Sequence, residues 1–236
     1  MQQLAQDLVA LRWQPNRVGL VLSAAFLPLL LWLGCWQLER ADYKAQIVAL
    51  HAANQQAPAV DLAALASVGD AQYRAVRVTG RYQPAPQFVV DNRVRNGRPG
   101  YEIVQLFSPA DGSAKLLVNR GWIGADLDRA TLPQVPAPAG QVTLSGTLYQ
   151  RLPGGLQLDD RVAQPLAGQQ RVGWIDRSRV AEWLNEPLYA YQLRLDRASP
   201  GALETGWPVV AVYPQKHTGY AVQWFIMAGV LALLTL

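Results

Sequence analysis

One cysteine and two histidines among 236 residues remove several kinds of chemistry at the outset. A lone cysteine, Cys35, builds no intramolecular disulfide and no cysteine-based zinc site, and its place inside an apolar run says nothing of redox compartment. The histidines, His51 and His217, belong to no H-E-x-x-H pair, and the chain has no G-x-S-x-G elbow and no P-loop. "DNRVRNGRPG" (91–100) is polar but lacks the glycine spacing of a nucleotide fingerprint. Asp159-Asp160 sits in a Gly/Pro-rich loop and reads as an exposed charge pair rather than a catalytic dyad. Charge itself is scarce, at 16% of residues, where soluble domains carry about 25%. The net charge of +4 is spread along the chain, with no basic run interleaved with aromatics, so a nucleic-acid partner is not expected. These absences disfavour catalysis, and the chain is not expected to be an enzyme.

Two long apolar runs account for the low charge. The first, Val18 to Trp36, holds no charged residue. At about 1.5 Å per residue it covers roughly 28 Å, close to a hydrocarbon core of about 30 Å. Arg12 and Arg17 flank it on one side, and Glu39, Arg40 and Lys44 on the other. Trp13, Trp32 and Trp36 suit the two interfaces. A cleaved signal peptide fits less well, because the run exceeds an h-region of about 7–15 residues and no A-x-A-like site follows it. The bulky Trp32 and Leu33 before Cys35 speak against a lipoprotein site. The second run extends from Tyr220 to Leu236, again without charge, and a polar or basic tail is expected to follow it. Positive residues are balanced across the flanks of the first run, so their count does not decide orientation.

Between the runs the chain reads as a folded, mainly β domain. "ERADYKAQIVALHAANQQ" (39–56) continues the first span as an amphipathic helix, on which His51 reads as an ordinary exposed residue. Eight stretches have strand-like alternation: 73–82, 87–94, 101–107, 114–123, 141–149, 171–176, 189–195 and 207–214. Asn96-Gly97 and Asp111-Gly112 are hairpin signals between them. "RSRVAEWLNEP" (177–187) predicts a short helix capped by Ser178. The fold class expected is a membrane protein in which two transmembrane helices flank a mainly antiparallel β (α+β) domain, with barrel-like closure left open.

Two motifs invite a role. In "VNRGWI" (118–123), Gly121 permits a tight bend with Trp122 packed beneath it, and Arg120 needs a hydrogen-bonding partner inside the domain or at its edge; a partner-contact surface is the other reading. In "KHTGYAVQWF" (216–225), His217 is either a cofactor ligand or an interfacial residue among belt aromatics.

"LGCWQLERADYK" (33–44), "YRAVRVTGRY" (73–82), "DNRVRNGRPGYEIVQLF" (91–107), "LLVNRGWI" (116–123) and "HTGYAVQWF" (217–225) resemble, in this order, the SURF1 family. The resemblance implies an assembly factor for haem-copper (aa3-type) cytochrome c oxidase, associated with installing haem a in the catalytic subunit, with haem a synthesis machinery as a further partner. It also implies a multi-pass protein of the bacterial inner membrane. Residues 1–17 would be cytoplasmic, 18–38 and 217–236 would span the membrane, and 39–216 would face the periplasm. Gly34, Trp36, Gln37 and Arg40 match the family at the exit of the first span. Tyr73, Arg74 and Gly80 match the first strand motif, Asn92, Arg93, Gly100 and Tyr101 the second, and Asn119 to Trp122 the third. His217, Tyr220, Ala221, Gln223, Trp224 and Phe225 match the entrance to the second span. His217 corresponds to the histidine proposed to ligate haem iron; Lys216 departs from the asparagine or arginine common beside it.

If the resemblance holds, His217, Tyr220 and Trp224 share one helix face, whereas Gln223 points elsewhere. That face offers an imidazole for iron, a hydroxyl, and an apolar plate for the macrocycle. Lys216 and Arg40 are the residues suited to haem propionates. Trp36, Gln37, Arg93, Arg120, Trp122 and Gln223 are expected to serve partner contact or structure. The two spans are expected to pack side by side, with close approach at Gly34 and Gly219. A haem-independent scaffold for an oxidase assembly intermediate and a membrane-anchored enzyme acting on haem or lipid stay open as alternatives.

Overall fold

The computed structural model describes residues 17–65, 70–126, 128, 131–151 and 168–235. Asp159-Asp160 and most of the segment 1–17 lie outside them. The chain divides into two compact units: its two ends, up to Ala49 and from Val209, and its middle, Leu50–Pro208. The helices are α1 (Arg17–Gln56), α2 (Arg177–Leu184) and α3 (Pro214–Thr235).

In the first unit, α1 and α3 are each long and apolar enough to cross a membrane, with mean hydropathy 2.2 and 1.5 over their most apolar 18 residues. α1 is one uninterrupted helix of 40 residues that carries Pro28 within it. Proline lacks the N–H of one ladder bond, a loss that apolar spanning helices tolerate. The polar continuation foreseen for residues 39–56 is part of this same helix.

The second unit is a sheet domain. Its strands are β1 (Val60–Asp61), β2 (Ala75–Arg95), β3 (Arg98–Pro109), β4 (Leu116–Gly124), β5 (Val142–Tyr149), β6 (Gln169–Val172) and β7 (Gln192–Leu195). The order is β1-β2-β3-β4-β7-β5, β6 pairs with β2, and β5 pairs with β2 as well. The ladders therefore run from β2 through β3, β4, β7 and β5 back to β2. The long pairings are antiparallel, whereas β1–β2, β2–β6 and β4–β7 are parallel.

Period-two alternation explains the start of β2, where Val76, Val78 and Tyr82 turn inward between exposed Arg77, Thr79 and Arg81. They meet Phe107, Leu144, Leu148, Leu193 and Leu195 in one core cluster. Phe88, Val90, Leu106 and Val172 form a second cluster, covered by Val180 of α2. Asn96 and Gly97 join β2 to β3 with φ of 49° and 75°, the paired positive angles of a type I′ turn.

Three expectations need correction. Residues 73–82 and 87–94 are not two strands but parts of β2, which stays continuous while its register with β3 shifts between Tyr82 and Gln87. Residues 207–214 form no strand; Trp207 instead lies under two guanidinium groups and donates its indole N–H to Leu195 O. α2 is capped by Asp176, not Ser178: the carboxylate Oδ1 accepts from Ser178 N at 2.9 Å, satisfying one of the first-turn donors. Its far end stops at Asn185 in the left-handed conformation, φ 50°.

Candidate functional site

Along α1 the residues withdrawn from the surface include Ser23, Leu27, Leu30, Gly34, Gln37 and Ala41, and along α3 they include His217, Ala221, Trp224, Ala228, Leu231 and Thr235. Alternating steps of three and four keep one stripe facing one neighbour, as in paired helices. Three contacts fix the antiparallel register. The Ser23 and Thr235 hydroxyls are hydrogen-bonded at 2.8 Å. The ring of Phe225 lies against Gly34, where a Cβ would fall 2.5 Å from Cε1. Gln37 Oε1 and His217 Nδ1 are 2.8 Å apart. The two helices thus pack side by side, with Gly34 at the close approach. Gly219 is exposed and has nothing within 4 Å of its Cβ position, so it plays no part. Ala221 and Ala228 are the small buried residues of α3.

His217, expected to serve a cofactor, and Gln37, expected to serve partner contact or structure, are brought together, and both are half-buried. An amide oxygen accepts, so this bond places the imidazole proton on Nδ1 and leaves the lone pair on Nε2. Among the described residues no group hydrogen-bonds Nε2. Trp224 is half-buried and Tyr220 is 43% exposed. Gln223, Lys216 and Arg40 are exposed. The Arg40 guanidinium lies 5.7 Å from the centre of the exposed Trp36 ring, and among the described residues neither Arg40 nor Lys216 has an acidic partner.

In the sheet unit, Arg120 is 3% exposed and makes four hydrogen bonds. Nε donates to Gly201 O at 2.8 Å, Nη1 to Gln105 Oε1 at 3.2 Å and Val135 O at 3.1 Å, and Nη2 to Pro136 O at 2.9 Å. The bonds foreseen for it are present, and every acceptor is neutral. Burial holds its pKa below the usual arginine value. Trp122 is 4% exposed and donates its indole N–H to Arg93 O at 2.8 Å. A Cβ on Gly100 would run into that indole and the Ile123 carbonyl, so the bare strand there is what admits Trp122. Arg93 Nε is 3.9 Å from Glu102 Oε2, which also accepts from Asn119 Nδ2 at 2.8 Å. Arg120 and Trp122 thus tie strands and loops together from inside rather than forming a contact surface.

Sequence reading missed three features of this unit. Gln87, Gln105 and Gln169 bond one another and the loop carbonyls of Pro133 and Val135 in a net that reaches Arg120. Arg194 stacks on Tyr149 with 3.3 Å between Cζ and the ring centre. His51 is half-buried rather than exposed, and its ring meets Tyr73 edge-on at 5.3 Å. No spacing marks these residues; Gln87 and Gln105, lone amides within two apolar strand stretches, were the one available signal.

Comparison with known proteins gives a consistent result. Residues 24–229 match the SURF1 family. An uncharacterized SURF1-like protein of Mycobacterium tuberculosis is 31% identical over 166 residues, which are 70% of this chain and 59% of that protein. A SURF1-like protein of Rickettsia felis is 32% identical over 108 residues, 45% of this chain and 46% of its own. The cytochrome oxidase assembly protein SHY1 of Saccharomyces cerevisiae is 29% identical over 98 residues, 40% of this chain and 25% of its own. The chain spans less than two thirds of the length of each of these relatives.

Proposed function

The chain belongs to the SURF1 family, and on that footing we propose that it is a membrane-anchored assembly factor for haem-copper cytochrome c oxidase that holds haem a in transit to the catalytic subunit. The similarity to SHY1, whose name describes cytochrome oxidase assembly, supports the assembly role. The two apolar helices support anchoring by two spans, at about 18–38 and 217–236, with 39–216 as the extracytoplasmic, periplasm-facing domain of a bacterial inner-membrane protein. The circuit of strand pairings supports a barrel-like core for that domain.

One observation carries the haem reading. His217 has its Nδ1 engaged by Gln37 and its Nε2 unclaimed among the described residues, the state of an imidazole ready to ligate iron. Haem a is the cargo, and its iron is what a neutral imidazole binds. Tyr220 and Trp224 lie within two turns of His217 on α3 and supply the aromatic surface beside it. Lys216 and Arg40, exposed and without acidic partners among the described residues, are suited to the two propionates. A single protein ligand at a helix seam suits a carrier, which has to let its cargo go.

Co-expression of the full chain with a haem a synthesis pathway, followed by an absorption spectrum of the purified protein, tests this. The parent protein is expected to retain a haem a spectrum. His217→Ala is expected to lose most of it while remaining folded and in the membrane fraction. A His217→Ala protein with parental spectrum and occupancy overturns the haem reading and leaves a haem-independent scaffold.

A further inference from the structure

Resting on that reading, we propose that Gln37 is the positioning residue that sets how firmly His217 holds its cargo, and hence how readily it is released. The two residues lie 180 positions apart, and the hydrogen bond between them is the polar contact at this level of the α1–α3 seam. Which ring nitrogen of a neutral imidazole stays available is decided by the bond the other one makes. With the Gln37 amide oxygen 2.8 Å from Nδ1, the proton is kept on Nδ1 and the ring is turned so that Nε2 is left for a ligand.

The backbone that carries the amide is itself placed by packing. One turn before Gln37, Gly34 admits the Phe225 ring, and one turn after it Ala41 is buried. Gln37 therefore approaches His217 from a packed helix and not from a mobile loop.

The choice of acceptor has a consequence of its own. Imidazoles that bind metals commonly pass their second N–H to a carboxylate or a carbonyl, which orients the ring and raises its basicity. A carboxylate forms the stronger, charge-assisted bond, and a neutral amide the weaker one. The seam positions of α1 and α3 around His217 hold no aspartate or glutamate: they are Gly34, Gln37, Ala41, Ala221 and Trp224. His217 is therefore oriented without being driven toward imidazolate character. That is the ligand strength appropriate to a group that is handed on.

The test uses the full chain in detergent loaded with ferric protoporphyrin IX. Two quantities are read: the rate of haem loss to excess apomyoglobin as a trap, and the reduction potential of the bound haem. Loss of the group that hydrogen-bonds a metal-binding imidazole commonly weakens metal binding by about 10–100-fold, and Gln37→Leu is expected to speed haem loss by that order. Gln37→Glu keeps the length and adds the charge; it is expected to slow haem loss and shift the potential to more negative values. Circular dichroism checks that the helices persist, and if Gln37→Leu fails to fold, the near-isosteric Gln37→Glu carries the test alone. Parental loss rate and potential in the folded variants overturn the proposal. So does faster loss with an unchanged potential in both, which marks Gln37 as a packing residue only. Failure of the haem reading itself is seen separately, as a parental spectrum in His217→Ala.

Discussion

Arg120 and His217 are basic side chains withdrawn from water in the two units of this protein, and they are satisfied in opposite ways. Arg120, in the sheet unit, reaches four acceptors from three elements and is left with little to offer a ligand. His217, in the helix pair, has one bond at one nitrogen and no hydrogen bond at the other among the described residues. A guanidinium buried among neutral carbonyls is a fastener, because each carbonyl it leaves becomes an unsatisfied buried group. An imidazole bonded at one nitrogen alone keeps a lone pair that the fold does not use. Two polar residues of equally conspicuous motifs thus differ in the number of partners each has, and the function proposed for His217 rests on that difference.

The sharpest way to break the contrast is to remove the fastener. Arg120→Met is expected to destabilise the sheet unit by about 2–4 kcal/mol, since each buried carbonyl left unsatisfied costs about 1–3 kcal/mol. It leaves Pro136 O and Gly201 O without their donor and Val135 O with Gln87 Nε2 alone. Arg120→Lys does not rescue it, since a single ammonium cannot reproduce the planar fork that serves these acceptors together. Urea unfolding of the full chain in detergent, followed by tryptophan fluorescence, reads the effect. An unchanged midpoint would mean that the network is ornamental.

Much of this division was legible in the sequence. The two charge-free runs gave the helices, because no other structure keeps so many apolar residues and all their backbone bonds. Alternation gave most of the strands, and Asn96-Gly97 gave its turn because both residues accept positive φ. Other features were hidden for physical reasons. The stretches 73–82 and 87–94 read as separate strands, but the ladder shifts register across Pro84 and Pro86 and resumes, so β2 is one strand. Residues 207–214 carry the right residue types for a strand but pair with no strand among the described residues. The Gln37–His217 contact was out of reach because each residue is polar inside an apolar helix, and only the meeting of α1 with α3 shows which faces touch. The three-and-four spacing of the seam is visible in the sequence once Gly34 and Ala221 are known to be its small residues.

A smaller effect tests the neighbourhood of Arg120. Tyr82 donates its hydroxyl to Pro200 O at 3.0 Å, and the Arg120 Cζ lies 5.6 Å from its ring centre. Burial pushes the Tyr82 phenol up to about 12, against a smaller opposing pull from Arg120. The neutral phenol is the form the fold favours. Its contribution is therefore complete below the unfolded value of about 10 and is lost as pH rises from there toward about 12. A gap of about two units corresponds to roughly 3 kcal/mol at most. Tyr82→Phe is expected to flatten that alkaline limb of stability and to cost about 1 kcal/mol at neutral pH for the lost hydrogen bond. Absorbance at the tyrosinate band against pH, with and without Tyr82, shows the late-titrating phenol directly; its ionisation with the exposed tyrosines would remove the premise.

The smallest effect separates the two histidines. His51 lies beyond the apolar stretch of α1, in the sheet unit, and makes no hydrogen bond among the described residues; its ring packs edge-on against Tyr73. Burial first, and then the charge of Arg194, hold its pKa below the ordinary 6.5. The fold thus favours neutral His51, and the unfolded chain takes up the proton first. The stability it contributes is present above about pH 6.5 and is lost as the pH falls below that value. His51→Gln is expected to remove this shallow acid limb, read as unfolding midpoints between pH 7 and pH 5, and to leave any bound haem spectrum unchanged. His217→Ala is expected to do the reverse, altering the haem spectrum and sparing the acid limb of the sheet unit. A His51 variant that loses haem as His217→Ala does would erase the distinction, because it would make a packed imidazole without a hydrogen-bonded partner behave like the one bonded to Gln37.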